Sequence, residues 1–193
     1  SISWVCPSCL DKNNYAKLAL VGATASCENG HQFDKAKQVY LNLLLPHKKR
    51  SKAPGDAETM ISARREFLSR GHYQFLMAAM AEQMQRYVTC EPLNALDIGC
   101  GEGSYIAYFS KVLPFIRWSG IDVSKPAIKK AAAASKTVNF AVASSSKIPV
   151  HESSLELALS VFAPIDHTEL KRVLKPGGTF VRVSPGENHF FEL

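Results

Sequence analysis

Leu96-Asp97-Ile98-Gly99-Cys100-Gly101-Glu102-Gly103 is the stretch that decides the fold. A short strand, Leu93 to Ile98, leads into the glycines, and a helix-forming stretch, Ser104 to Val112, leaves them. A strand that turns through glycines into a helix lets the backbone approach a ligand closely, and the helix start adds unpaired N–H groups. Arg117–Ile121 reads as the next strand, and Asp122 ends it 21 residues after Gly101. A carboxylate there can accept hydrogen bonds from both hydroxyls of a ribose, so turn and acid together point to a nucleoside site. The spacing is G-x-G-x-G, where dinucleotide sites usually show G-x-G-x-x-G.

The pattern downstream alternates strands and helices. Ser124 is placed to cap an Ala-rich helix, Ala127–Ser135. Val138–Val142, Leu155–Phe162 and Thr179–Val183 read as strands, with a helix over Asp166–Leu174 between the last two. This order predicts an α/β fold with a mostly parallel sheet and helices on both faces. Upstream, Asp56 is a plausible cap for a helix over Ala57–Arg70, closed by Gly71. A second helix fits Tyr73 to Val88, with Leu76, Met80, Met84 and Tyr87 on its apolar face.

The first 45 residues have a different character. Cys6-Pro7-Ser8-Cys9 and Cys27-Glu28-Asn29-Gly30-His31 are C-x2-C and C-x3-H pairs with 17 residues between them. Close pairs can aim two donors at one ion, and four N/S donors with no spare position make a closed, tetrahedral Zn²⁺ site. The alternative is two fortuitous pairs of reduced cysteines; the small polar segment that holds them favours zinc. A segment this short buries too little apolar surface to fold alone, so the metal would carry much of its stability. Val39–Leu45 is strand-like and closes this module; Cys90 and Cys100 read as ordinary thiols.

Composition bounds the rest. A chain of 193 residues has room for one domain and a small appendage, and 46% hydrophobic with 21% charged residues is ordinary for a soluble globular protein. No run of 18 apolar residues occurs, so no membrane-spanning helix is expected. Ser1-Ile2-Ser3-Trp4 has neither the basic start nor the apolar core of a secretory leader, and five cysteines are an odd number for a disulfide scaffold. The cytoplasm is the expected compartment. Net charge is +6, and six basic residues between Lys35 and Lys52 (Lys35, Lys37, Lys48, Lys49, Arg50, Lys52) meet no acid. Charge alone allows a grip on a polyanion or a solubilising linker equally.

The string D-I-G-C-G-E-G resembles the first motif of the S-adenosylmethionine-dependent methyltransferases, and Gly-Ile-Asp-Val-Ser (120–124) resembles their ribose-binding motif. Ala143-Ser144 falls where that family places the adenine, and Leu174-Lys175-Pro176-Gly177-Gly178 resembles the turn before its fifth strand. With the C-P-x-C and C-x3-H-Q-F-D module, the H-K-K-R-S connector and R-R-x-F-L-x-x-G-H-Y, the chain is similar from Cys6 onward to the bacterial 23S rRNA (guanine-N1)-methyltransferases. The resemblance implies a zinc-ribbon-like RNA-recognition domain over 1–45, a basic linker over 46–56 and a Rossmann-like class I methyltransferase domain over 57–193. It also implies homodimerisation around a basic cleft and no membrane. The substrate would be 23S rRNA, at guanine 745, or at a neighbouring guanine of the same hairpin whose methylation confers macrolide resistance. An RNA-binding protein with an inactive methyltransferase fold and a small-molecule methyltransferase are the competing readings.

Carried onto this chain, the resemblance has Cys6, Cys9, Cys27 and His31 holding zinc. Tyr73, Asp97, Gly99, Gly101, Glu102, Gly103, Asp122, Ser144 and His189 would meet S-adenosylmethionine. Residues alone favour a packed aromatic for Tyr73 and a solvated loop histidine for His189. Guanine N1 is protonated at neutral pH, so a base or a stabilised O6 anion is required. Asp166, His167, Glu187 and His189 lie near strand ends, and none of them is singled out as the base; Asp166 is better suited to capping a helix. Phe162-Ala163-Pro164 stands where the family usually has a Tyr-Ala-Pro-like segment. A class I sheet has two further strands beyond Thr179–Val183, so the domain is expected to be incomplete at Leu193.

Overall fold

The computed structural model describes residues 2–46, 58–71, 73–87 and 93–186. The expected sites at Cys90, Glu187 and His189, the basic residues Lys48, Lys49, Arg50 and Lys52, and nearly all of the 46–56 linker lie outside those residues.

A short metal module comes first. The helical turn α1 (Pro7–Leu10) starts at Pro7, whose missing N–H costs nothing at a helix start. Strands β1 (Ala19–Val21), β2 (Thr24–Ser26) and β3 (Gln32–Asp34) form an antiparallel sheet in that order.

Among the described residues the larger sheet has six strands, all parallel, in the order β4-β7-β6-β5-β8-β9. These are β4 (Tyr40–Asn42), β5 (Leu93–Ile98), β6 (Ile116–Asp122), β7 (Asn139–Val142), β8 (Leu155–Val161) and β9 (Leu174–Val183). The helices are α2 (Glu58–Ser69), α3 (Gln74–Tyr87), α4 (Ser104–Val112), α5 (Lys125–Ala134) and α6 (His167–Val173). Both faces of β5 are covered, and five of its six residues are buried, Asp97 among them. Leu93 and Ala95 enter one core cluster with Met80, Met84, Phe109 and Phe140, while Leu96 and Ile98 enter the other with Ile148, Val150 and Leu170.

Local signals set most element ends. Ser124 accepts a hydrogen bond from the Ala127 amide (3.4 Å) at the start of α5, whose Ala127, Ile128, Ala131 and Ala132 are buried. Gly120 lies mid-strand in β6, where an added Cβ would come within 3 Å of Cys100 Sγ (2.8 Å), Ile106 (2.9 Å) and Phe140 (2.9 Å).

Three expectations need correcting. The 39–45 strand, assigned to the metal module, instead supplies β4 to the large sheet: Tyr40, Leu41 and Asn42 pair with Phe140, Ala141 and Val142. Two of the three residues are buried, and β4 covers what would otherwise be the open edge of β7. On α3 the buried residues are Met77, Met80, Ala81 and Met84, while Tyr87 is exposed. Met80 and Met84 are buried as expected and Leu76 packs against the same core cluster, so only Tyr87 departs from the expected set. Leu174–Gly178 belongs to β9, where the register with β8 jumps from Leu155↔Leu174 to Leu157↔Thr179 and the glycines occupy the irregularity.

The metal module packs directly on the large domain. Trp4 bridges Val150, the Val5 amide donates to the Pro149 carbonyl (2.9 Å), and Ile2 and Trp4 share a core cluster with Leu96, Ile98 and Ile148. Beside this seam the Tyr15 ring lies 4.8 Å from that of His151, with the Arg172 guanidinium 5.6 Å from Tyr15. Trp4→Ala is expected to lower stability by about 3–5 kcal/mol in urea denaturation, the range for emptying a buried aromatic site; a change below about 1 kcal/mol would mean that the seam contributes little.

Candidate functional site

The four expected metal donors converge. The ligand atoms of Cys6, Cys9, Cys27 and His31 all lie within 4.8 Å of one another, and the three cysteines are buried. Cys9 Sγ and Cys27 Sγ are 3.8 Å apart, and His31 Nδ1 stands 3.3 Å and 3.4 Å from them. A tetrahedral ion with Zn–S bonds of about 2.3 Å has S···S edges of about 3.8 Å, so the donor set fits zinc in chemistry and in spacing. The Asn29 side-chain amide donates to Cys9 Sγ (3.3 Å), a supporting bond of the kind that orients metal ligands. Burial pushes the Cys6 thiol up to about 12; at Cys27 burial acts the same way, but hydrogen bonds to His31, Asn29 and Cys6 together outweigh it and bring the thiol to about 7.

The second site lies at the carbonyl ends of β5, β6 and β8. The Gly99 and Cys100 amides both donate to the Ile121 carbonyl (2.9 and 3.0 Å), which holds the glycine turn against the end of β6. Gly99 has φ +80°, and a Cβ built on it would fall 2.3 Å from Ala163 Cβ, so only glycine fits there. Gly101 donates its amide to Asp122 Oδ2 (2.9 Å), and Ser124 donates to Asp122 Oδ1 (2.8 Å). These amides orient a carboxylate that has about four acceptor positions in all. Glu102 is buried and accepts from the Ser104 hydroxyl, and Gly103 stands at the N-cap of α4.

Asp97 is the most unusual group. It is 1% exposed, and neither of its side-chain oxygens has a hydrogen-bond partner among the described residues. Burial, and then the nearby charge of Asp122, push its carboxyl up to about 8. An orphaned buried acid beside a second carboxylate is matched to a cationic ligand, and an aminoacyl sulfonium nucleoside presents cationic groups next to a ribose. The arrangement therefore fits S-adenosylmethionine. Ser144 lies just past the end of β7, half-buried, with its hydroxyl 2.8 Å from that of Ser146. Tyr73 precedes α3, with its ring 6.0 Å from that of Phe162 and perpendicular to it. Asp166 accepts from the Thr168 and Glu169 amides (2.9 and 3.0 Å) and so caps α6.

Two features escaped the sequence. Ala163, from the end of β8, forms the floor beneath Gly99, and the Tyr15–His151–Arg172 cluster clamps the metal module beside Val150. Both depend on contacts between distant segments; the Pro after Ala163 was the only local hint of a special turn.

Comparison with known proteins agrees with this geometry. A family profile described as "RlmA, N-terminal" matches residues 4–52, and one described as "Methyltransferase domain" matches residues 95–178. A Streptomyces fradiae protein named 23S rRNA (guanine(748)-N(1))-methyltransferase is 36% identical over 190 residues, covering 97% of this chain and 65% of that protein. A Micromonospora griseorubida protein, provisionally named a 23S rRNA (guanine-N(1)-)-methyltransferase, is 34% identical over 204 residues, covering 97% and 67% respectively. The chain belongs to the 23S rRNA (guanine-N1)-methyltransferase family. It spans about two thirds of the length of these relatives. A crystal structure of a Methanococcus maripaludis protein, provisionally named an S-adenosylmethionine-dependent methyltransferase, superposes with a TM-score of 0.57 at 20% identity, covering 69% of this chain and 67% of that one, and establishes the shared fold. No helix among the described residues is long and apolar enough to cross a membrane.

Two outcomes test the sites. A carboxyl held at about 8 when folded and near 4 when unfolded keeps its proton in the folded state only, so unliganded stability falls as pH rises from 4 to 8, at up to about 1.4 kcal/mol per pH unit. Asp97→Asn should flatten that slope in denaturation curves taken at pH 5 and pH 8; an unchanged slope would place the titration elsewhere. Cys9→Ser should lose stoichiometric zinc in elemental analysis of the purified protein, and retention of one zinc per chain would remove Cys9 from the ligand set.

Proposed function

We propose that the protein transfers a methyl group from S-adenosylmethionine to N1 of a guanine in 23S rRNA. The observation that carries this reading is the union, in one chain-long match, of a four-donor metal ribbon and a nucleoside site on the carbonyl edge of a parallel sheet. In this reading Cys6, Cys9, Cys27 and His31 hold zinc. The turn Gly99, Gly101, Glu102 and Gly103 cradles the aminoacyl part of the cofactor. Asp97 faces its cationic groups, Asp122 takes the ribose hydroxyls, Ser144 lies at the adenine, and Tyr73 and His189 complete the pocket. When bound, the cofactor supplies an electrophilic methyl group and a good leaving group. The chain's own residues align the acceptor with that methyl and exclude water.

Asp166 is committed to capping α6, so it is a poor choice for the base that takes the guanine N1 proton. N1 lies on the Watson–Crick edge, so the guanine has to leave its stack or come from a loop. The basic 35–52 stretch would grip phosphates, and the metal module, seamed to the methyltransferase fold at Val150, would orient the RNA. A homodimer working in the cytoplasm, where the ribosomal substrate is made, completes the reading. The target follows the motif resemblance to guanine 745. The relative named for guanine 748 supports a second reading, methylation of that neighbour with macrolide resistance as the consequence.

Methylation at N1 removes a Watson–Crick donor and stops reverse transcriptase. With tritiated cofactor and unmodified 23S rRNA, label should enter the RNA and a primer-extension stop should map to guanine 745, or to 748 on the second reading. Label in a small acceptor and not in RNA would overturn the RNA assignment, and cofactor binding without any transfer would leave an RNA-binding protein with an inactive fold.

A further inference from the structure

Residues 4–6 are held along both edges. On one edge Val5 bridges Lys17, the Leu18 amide donates to the Trp4 carbonyl (2.9 Å), and the Cys6 amide donates to the Ala16 carbonyl (2.8 Å), all within the metal module. On the other edge Trp4 bridges Val150, and the Val5 amide donates to the Pro149 carbonyl (2.9 Å). The metal donor Cys6 thus directly follows a residue bonded to the large domain. Tyr15, next to Ala16, adds a second contact, with its ring against His151 and the Arg172 guanidinium.

The loop reached by these contacts, residues 143–150, also borders the nucleoside site. The Ala143 amide donates to the Asp122 carbonyl (3.0 Å), Ser144 follows, and the Lys147 amide returns to the Ser144 carbonyl (3.3 Å). The Ser146 amide donates to the Ser144 hydroxyl (3.2 Å). Ile148 comes next and shares a core cluster with Ile2, Trp4 and Ala25 of the module. A turn closed by its own hydrogen bonds has little slack, so a shift at 148–150 is passed to Ser144 and to the strand end that bears Asp122. From α6, Glu169 accepts from the Ile148 amide (2.7 Å), and Arg172 donates to the Ile148 and Val150 carbonyls. The loop is therefore clamped by a helix on one side and by the metal module on the other.

Only the second clamp depends on a ligand. The module's own cluster is Cys6, Cys9, Ala16 and Cys27, with Leu18 and Phe33 packed against it. That is too little apolar surface to order such a segment without its ion. With the ion bound, residues 4–6 are a fixed edge; without it, Pro149 and Val150 lose their partner, and Ile148 loses part of its cover. We propose that zinc in the ribbon and S-adenosylmethionine at the sheet edge bind cooperatively through residues 4–6 and the 143–150 loop, so that metal occupancy sets cofactor affinity. This rests on the reading under Proposed function, which puts Ser144 at the adenine, and adds to it a control on that same site. Such coupling is reciprocal: the factor by which zinc tightens the cofactor is the factor by which the cofactor tightens zinc.

Calorimetric titration of the full-length protein with S-adenosylmethionine, zinc-loaded and after chelation, reads the coupling. The expected result is a Kd about 5- to 50-fold weaker without zinc at unchanged stoichiometry; global unfolding would lower the number of sites instead and overturn the proposal. If the zinc-free protein does not stay in solution, the reciprocal measurement replaces it. In competition with a chelator of known affinity, saturating S-adenosylmethionine should tighten zinc by that same factor. Trp4→Ala and Tyr15→Ala leave all four donors in place, so both should still bind zinc. The coupling should shrink in both, to less than about twofold for Trp4→Ala, and Tyr15→Ala decides the matter if Trp4→Ala folds poorly. Equal cofactor affinity with and without zinc in the parent would overturn the proposal, as would full coupling in both variants, which would route it away from this seam. If the zinc-loaded parent binds no S-adenosylmethionine, the functional reading fails and the coupling with it; if the parent binds it and methylates RNA but its cofactor affinity ignores zinc, only the coupling falls.

Discussion

Two ladders of parallel hydrogen bonds, one on each side of Leu93–Ile98, hold the site together. Their register places Asp97 beside Gly120 and Leu159, and so brings the ends of three strands to one edge. A slip of one residue would exchange the two faces of β5, sending Leu96 and Ile98 into the cluster now filled by Leu93 and Ala95. With both faces packed, such a slip is prohibitive. The glycine turn, Asp122 and Phe162 are therefore fixed relative to one another by core packing, although they belong to three separate loops.

The same packing joins the metal module to the large domain. Leu18 and Phe33 touch both the cysteine cluster and the cluster that contains Trp4, Leu96 and Val150. Restraining Cys6, Cys9, Cys27 and His31 around one ion would thus also restrain the surface that seats on the loop between β7 and β8. Arg172 reinforces that loop, donating to the Ile148 and Val150 carbonyls (both 2.7 Å) while paired with Glu169. With both charges largely buried, removing either partner alone would leave an unpaired ion and cost more than the pair contributes. A ribbon anchored in this way is held in a fixed position on the large domain.

At that edge the structure stores unfavourable terms. Asp97 is buried without a hydrogen-bond partner among the described residues, and Phe162 is both strained and half in water. Neither improves stability. Such local conflicts in an otherwise consistent sequence are where function is expected. The backbone around them is unusually constrained, by Ala163 under Gly99 and by the amides on Asp122.

The local layer was legible in the amino-acid sequence by itself. The strand over Leu93–Ile98, the helix over Ser104–Val112, the caps at Ser124 and Asp166, the four metal donors and the acid that ends β6 all follow from short-range periodicity, side-chain capping chemistry and ligand spacing. Only the tertiary structure decided that Tyr40–Asn42 would leave the metal module for the edge of the large sheet, that Met77 and Ala81 would face the core in place of Tyr87, and that Ala163 would lie beneath Gly99. It likewise paired Tyr73 with Phe162 and Tyr15 with His151. Spacing along a chain encodes what a residue does to its neighbours within a turn or a strand. Which distant surface completes an edge or fills a gap depends on how all the elements share volume, and that is settled only when they pack.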